Sequence, residues 1–165
     1  MLLHDAYERY RFAYPLKNML RQFHIHDDVW EDRERKEKPI PWLGVSPRYM
    51  AQTLGTEWGR ECIRPDVWVV LAMGRWHQIN AAGKGRMVIP DVRFINEAEW
   101  IKENGILLEV KRDDNPHEID NPDHASEMGI GNVKPHAVVH NDGTKEELRL
   151  KAWDIVNDIY SGMAS

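Results

Sequence analysis

The segment Pro90–Arg93, PDVR, sets a carboxylate and a guanidinium two residues apart, directly after the apolar run MVI. At the end of a strand, that spacing turns both side chains to the same side. The two groups can close on each other as a structural ion pair. Equally, Arg93 can hold a phosphate while Asp91 accepts from a substrate hydroxyl or a metal-bound water. Lys17 stands in the first turn of the helical stretch PLKNMLRQF, where unpaired N–H groups and the helix dipole favour an anion; a solvated surface lysine is the plain alternative. Arg48 lies just inside the helix start Ser46–Pro47 of SPRYMAQTLGTEWGR, again as a phosphate contact or a surface charge. In the same stretch Gly55 and Thr56 interrupt the apolar face Met50, Ala51 and Leu54. A glycine there costs about 1 kcal/mol of helix stability relative to alanine, and it offers bare backbone N–H groups, beside a hydroxyl, to a small ligand. Trp68 reads either as core or as an aromatic wall for a base.

Other chemistries find less support. The spacings His24-x-His26 and His117 with His124 match no strong zinc pattern, and Cys62 is the single cysteine, so no metal site is expected. No G-x-S-x-G elbow for a serine hydrolase is present. The net charge of −5 argues against a broad basic surface for nucleic acid. One cysteine fits a reducing compartment. The sequence has neither an apolar stretch of about 20 residues nor a signal pattern, so the expectation is a cytoplasmic protein with no membrane or nucleic-acid partner. At 165 residues and 42% hydrophobic, the chain suits a single domain, 1–165.

These residues need elements to position them. Alternation over 8–14 predicts a strand, and 15–23 a helix with Leu16, Met19, Leu20 and Phe23 on one face. Residues 24–45, charged and then Pro-rich, read as an exposed loop or hinged cap. A helix follows from Ser46, and another over 66–79 with Asp66 as its cap. The run 87–92 suits a buried parallel strand. Asn96 and Glu99 suggest a capping box for the helix ending at Gly105. Residues 106–112 and 137–140 read as strands, and 113–136, rich in Asp, Asn, Pro and His, as a lid. Thr144 and Glu147 form a second capping box for the closing helix 144–160. Strand–helix alternation implies an α/β domain with a largely parallel sheet. Its chemistry belongs at the strands' carboxyl ends, where Tyr14–Pro15, Asp91–Arg93, Arg112 and Asn141–Asp142 should emerge.

Taken in order, FAYPLK, SPRYMAQTLGTEWGR, PDVW, VIPDVRFINEAEWI, EVKR, HASEMG and HNDGTKEEL resemble the bacteriophage-type deoxynucleoside monophosphate kinases, relatives of phosphomevalonate kinase within the P-loop kinase fold. The resemblance runs from about residue 8 to the C-terminus. It implies phosphoryl transfer from ATP, with Mg²⁺, to a deoxynucleoside monophosphate. It also implies roles: Lys17, Arg48, Gly55, Thr56 and Trp68 for the monophosphate pocket, with Arg48 on the phosphate and Trp68 by the base. Asp91, Arg93 and Arg112 would serve catalysis between donor and acceptor phosphates, His124 and Glu127 the lid, and Asn141, Asp142 and Gly143 the adenine of ATP. On this resemblance 24–45 is a substrate-side loop.

The sequence departs from such kinases at one point. Their first strand and G-x-x-x-x-G-K-[ST] loop are absent. Gly83–Lys84 precedes a strand instead of following one, and Gln78 stands where the first glycine belongs. The expected fold class is therefore α/β, a P-loop-kinase-like three-layer parallel sheet truncated at its N-terminus. The absent strand would lie between 87–92 and 106–112, a gap to be closed by direct pairing, a homodimer partner or a complementing chain. Three functions remain open on the residues: a phosphotransferase, a non-catalytic nucleotide-binding or regulatory protein, and a truncated kinase that needs its missing segment.

Overall fold

A computed structural model describes residues 7–83, 85–112, 130 and 133–163. The chain divides into two compact units, Met1–Arg93 and Phe94–Ser165. Among the described residues the chain is rich in helix and carries two parallel pairs of strands, a composition compatible with an α/β fold. No helix among the described residues is long and apolar enough to cross a membrane.

In the first unit, β1 (Glu8–Arg9) pairs in parallel with β2 (Met87–Val88), Glu8 opposite Met87 and Arg9 opposite Val88. Both strands are shorter than the expected 8–14 and 87–92, for a local reason. After Tyr10 donates its N–H to the Val88 carbonyl at 3.0 Å, the next backbone donors turn away from the ladder. Those of Phe12 and Ala13 go to the Asp91 side chain, and Tyr14 closes a turn on Arg11. Pro90, which has no N–H, ends the partner strand's capacity to pair. Helix α1 (Tyr14–Leu20) follows, with Pro15 in its first turn and Leu16 and Leu20 buried.

Residues 24–45 are more ordered than an open loop. They form two short helices, α2 (Asp27–Glu31) and α3 (Arg33–Glu37). Asp32 caps α3 by accepting from the Arg35 N–H at 3.1 Å, and ion pairs Arg21–Asp27 and Arg35–Asp28 fasten the pair. Charged helices of this length carry too few apolar positions to form a readable stripe. Helix α4 (Pro47–Thr53) starts as the sequence predicts, the Ser46 hydroxyl accepting from the Tyr49 N–H at 3.1 Å. The predicted interruption at Gly55–Thr56 takes another form: the helix continues, with its winding widened to a π-helical segment, Leu54–Ile63. Helix α5 (Val67–Ala81) then buries Trp68, Val69, Ala72 and Ile79.

The second unit contains α6 (Ile95–Asn104), β3 (Leu108–Lys111), β4 (Ala137–His140) and α7 (Lys145–Met163). Strands β3 and β4 run parallel, from Leu108 opposite Ala137 to Lys111 opposite His140. Helix α6 begins earlier than the Asn96–Glu99 box predicts: Glu97, 2% exposed, accepts from the Phe94 N–H at 3.2 Å. The Thr144–Glu147 box at the start of α7 is present in both directions, Thr144 N–H to Glu147 at 2.7 Å and Glu147 N–H to the Thr144 hydroxyl at 3.2 Å.

Candidate active site

The carboxyl ends of β1 and β2 are joined by one side chain. Asp91 reaches from the segment after β2 and accepts the Phe12 N–H at 3.0 Å and the Ala13 N–H at 3.1 Å, one on each oxygen. Ala13 is the residue before α1, and its own side chain can cap nothing. A carboxylate from the neighbouring strand thus satisfies backbone donors at the mouth of α1 that the local sequence leaves open. The negative charge also suits that end of the helix. Neither of the two readings of Asp91, ion pair or substrate contact, anticipates this bond pattern.

Three cations gather around that turn. Lys17 in α1 is half-buried, and burial is the first cause holding its ammonium below the usual lysine range. Arg11 lowers it further and so does Arg93, while Asp91 and Asp27 act in the opposite sense. Arg11 and Arg93 are therefore close enough to Lys17 to be felt electrostatically. Asp27 is engaged with Arg21 at 2.5 Å. The Lys17 ammonium sits over the face of Trp30, 4.8 Å from the ring centroid. The Arg11 guanidinium lies 5.9 Å from the Tyr14 ring centroid, and its Nε is buried without an acceptor. Burial, and then Asp91, also raise the Tyr10 phenol above its ordinary value.

Of the residues gathered here, the sequence singles out Lys17, Asp91 and Arg93, but not Arg11 or Trp30. Arg11 was hidden in the polar–apolar alternation of 8–14. Trp30 had one available signal, as the only aromatic residue in the charged run 27–38.

The remaining pocket candidates of this unit divide. Arg48 in α4 reaches back to α3, its Nη1 lying 3.3 Å from Glu37. Trp68 is 2% exposed, so its core reading is the one that describes its surroundings. Its indole N–H donates to the Gly55 carbonyl at 2.8 Å. Its ring lies over Gly59, where a Cβ would stand 2.5 Å from Trp68 Cζ2. Gly55 is itself buried, facing Leu16, and Thr56 is half-buried. Gly59 in the widened helix therefore makes room for the α5 tryptophan, and Gly55 supplies the acceptor for its indole N–H. Long π-helical stretches are rare and often functional; here the winding has a packing cause as well.

In the second unit Arg112 and Asn141 follow directly on the paired ends of β3 and β4, and Asn141 donates its N–H to the Lys111 carbonyl at 2.7 Å. Asp142 pairs with Lys151 at 2.5 Å, a contact that holds its carboxyl below the usual range. Gly143 precedes the Thr144 cap. His124 and Glu127, with most of the expected lid 113–136, lie outside the described residues. Among the described residues no group of three His, Cys, Asp or Glu could hold a metal ion.

A carboxylate-braced turn ringed by cations, at the carboxyl end of a parallel strand pair, is the kind of site that proteins use for phosphorylated ligands. Comparison with known proteins sharpens that class. The family model for deoxynucleotide monophosphate kinase matches residues 41–152, and the chain belongs to that family. A candidate deoxynucleotide monophosphate kinase of Acanthamoeba polyphaga mimivirus is 32% identical over 149 residues, covering 82% of this chain and 76% of that protein. The deoxynucleoside-5'-monophosphate kinase of Escherichia phage T5 is 30% identical over 128 residues, 73% of this chain. The match spans half the length of the phage enzyme. No solved structure matches at a comparable level.

Proposed function

We propose that this chain binds a deoxynucleoside monophosphate as phosphoryl acceptor, with the phosphate held by Arg11, Lys17 and Arg93. The observation that carries the reading is the charge pattern around the Asp91-braced turn. Arg11, Lys17 and Arg93 come together there around the braced carboxylate of Asp91, while Asp27 is matched by Arg21. A phosphomonoester carries about −1.5 to −2 at neutral pH. Arg48, on the neighbouring α4, adds a further guanidinium that can exchange Glu37 for phosphate. In this reading α2 and α3 form the substrate-side wall, supported by Trp30 on Lys17 and Glu37 on Arg48. The arginines would neutralise charge on the acceptor oxygens and align them, the larger part of phosphoryl-transfer catalysis. Asp91 braces the cluster.

The family's phosphoryl donor would be ATP with Mg²⁺. The residues at hand do not fit that group: the chain has no G-x-x-x-x-G-K-[ST] loop, and the described residues offer no carboxylate cluster for a metal. Roles for Arg112 and for Asn141, Asp142 and Gly143 on the donor side, and for 113–136 as a lid, rest on the family resemblance. A second reading, left open by the sequence, is a protein that holds the monophosphate without transferring to it.

Equilibrium binding of the four deoxynucleoside monophosphates, alongside ADP release with ATP and Mg²⁺, tests both. Binding should exceed that of the parent nucleosides. Lys17→Met or Arg11→Met should weaken it about 10- to 100-fold, the range for loss of a charged hydrogen bond. Nucleosides binding as well as monophosphates would sink the reading. Binding without turnover would select the second one.

A further inference from the structure

We propose that Trp30 is a positioning residue for Lys17, its ring face holding the ammonium ready for the acceptor phosphate; this rests on the acceptor reading above. Lys17 is a flexible four-carbon stem with an ammonium that any nearby carboxylate could capture. Two carboxylates act on it, Asp91 and Asp27. Asp91 is occupied by the Phe12 and Ala13 N–H groups, and Asp27 by Arg21. Arg11 and Arg93 both act against the charged ammonium. The group that meets it is the Trp30 ring, 4.8 Å away. The indole Nε1 is buried with no acceptor, so the ring is set by packing and leaves its face for the cation.

The arrangement has a functional logic. A carboxylate partner would compete with phosphate for the lysine at every binding event. A π face holds a cation more weakly, so the ammonium can transfer to phosphate with little opposition, yet it stays ordered while the site is empty. Less side-chain freedom is then lost on binding, the usual benefit of preorganisation. Trp30 need not touch the nucleotide to act in this way.

A double-mutant cycle on dNMP binding, with a nucleotide-free readout beside it, tests the idea. Trp30→Leu should weaken binding about 2- to 30-fold, the span of cation–π strengths. Trp30→Phe should recover most of it. In a Lys17→Met background, Trp30→Leu should have no further effect; full additivity would overturn the proposal. Without nucleotide, the pH profile of Lys17 acylation by an amine-selective reagent, followed by peptide mass spectrometry, reports the ammonium directly. Trp30→Leu removes support for the charged form, so the midpoint should move to lower pH, while Trp30→Phe keeps it. An unchanged midpoint, or an upward move showing that the ring merely excludes water, would also overturn it. If no dNMP binds to the unaltered protein but the acylation midpoint responds as stated, the acceptor reading fails and the Lys17–Trp30 coupling stands. Should the leucine variant fail to fold, Trp30→Met, closer in reach, replaces it in every arm.

Discussion

Replacing Asp91 with asparagine removes a charge and exchanges one acceptor oxygen for an NH₂ group, with almost no change in volume. The carboxylate accepts two backbone N–H groups, Phe12 at 3.0 Å and Ala13 at 3.1 Å. Asparagine can keep one of these bonds, now to a neutral carbonyl, and turns a donor toward the other. A hydrogen bond to a charged group contributes about 1.5–3 kcal/mol, and a neutral one about 0.5–1.5. Losing the first kind once and weakening it to the second kind once should cost about 2–4 kcal/mol. With an m-value of about 2 kcal/mol/M in urea, the unfolding midpoint should fall by about 1–2 M, read by tryptophan fluorescence. Loss of activity should accompany the loss of stability, because the cluster is built on the turn that Asp91 braces. A full loss of phosphate binding or turnover with an unmoved urea midpoint would refute this reasoning and return Asp91 to direct contact with substrate.

Two further outcomes follow from the packing and the charge. Gly59→Ala would bring a Cβ to 2.5 Å from Trp68 Cζ2 and 3.0 Å from the Leu54 carbonyl; overpacking of this kind costs about 1–3 kcal/mol, to be seen as a lower thermal midpoint, and an unchanged midpoint would mean that α5 shifts freely. For Lys17, the folded-state pKa lies below the ordinary value, with burial the main cause and Arg11 next. Between that lowered value and the unfolded value the unfolded chain binds more protons, so this residue's contribution to stability rises with pH across that window. Monophosphate affinity runs the other way, falling as the amine loses its charge. Lys17→Arg, which stays charged, should flatten the Lys17 part of both profiles, measured as urea midpoints and dissociation constants from neutral to alkaline pH.

Local chemistry made part of this molecule legible. Ser46–Pro47 announced α4, and Thr144 with Glu147 announced α7, because caps are decided within four residues. The parallel course of the strands and the emergence of Arg112 and Asn141 at their carboxyl ends followed from the strand–helix order. What failed was decided at a distance. Strands β1 and β2 are cut short by Asp91, a residue 78 and 79 positions from its partners. Gly55 read as an opening for a ligand, whereas the neighbouring Gly59 makes room for Trp68 and Gly55 supplies that tryptophan's acceptor. Helices α2 and α3 carry too little apolar pattern to be seen. At the candidate site, strand-end and helix-start positions single out Lys17, Asp91 and Arg93 in the sequence. Arg11 was masked by the alternation of its own segment, and Trp30 becomes visible only when the short helix α2 brings its ring to Lys17.

The long span closed by Asp91 has a consequence for how the first unit assembles. Closing a loop of about 79 residues carries an entropy cost that grows with the logarithm of its length, about 4 kcal/mol beyond the constant term. Nothing local repays that cost at residues 12 and 13. The segment carrying Arg11 and the start of α1 should therefore dock late, after the helices between have formed their nearer contacts. During synthesis, the ring of cations has no existence until residues 91–93 have left the ribosome, so its assembly reports completion of the unit.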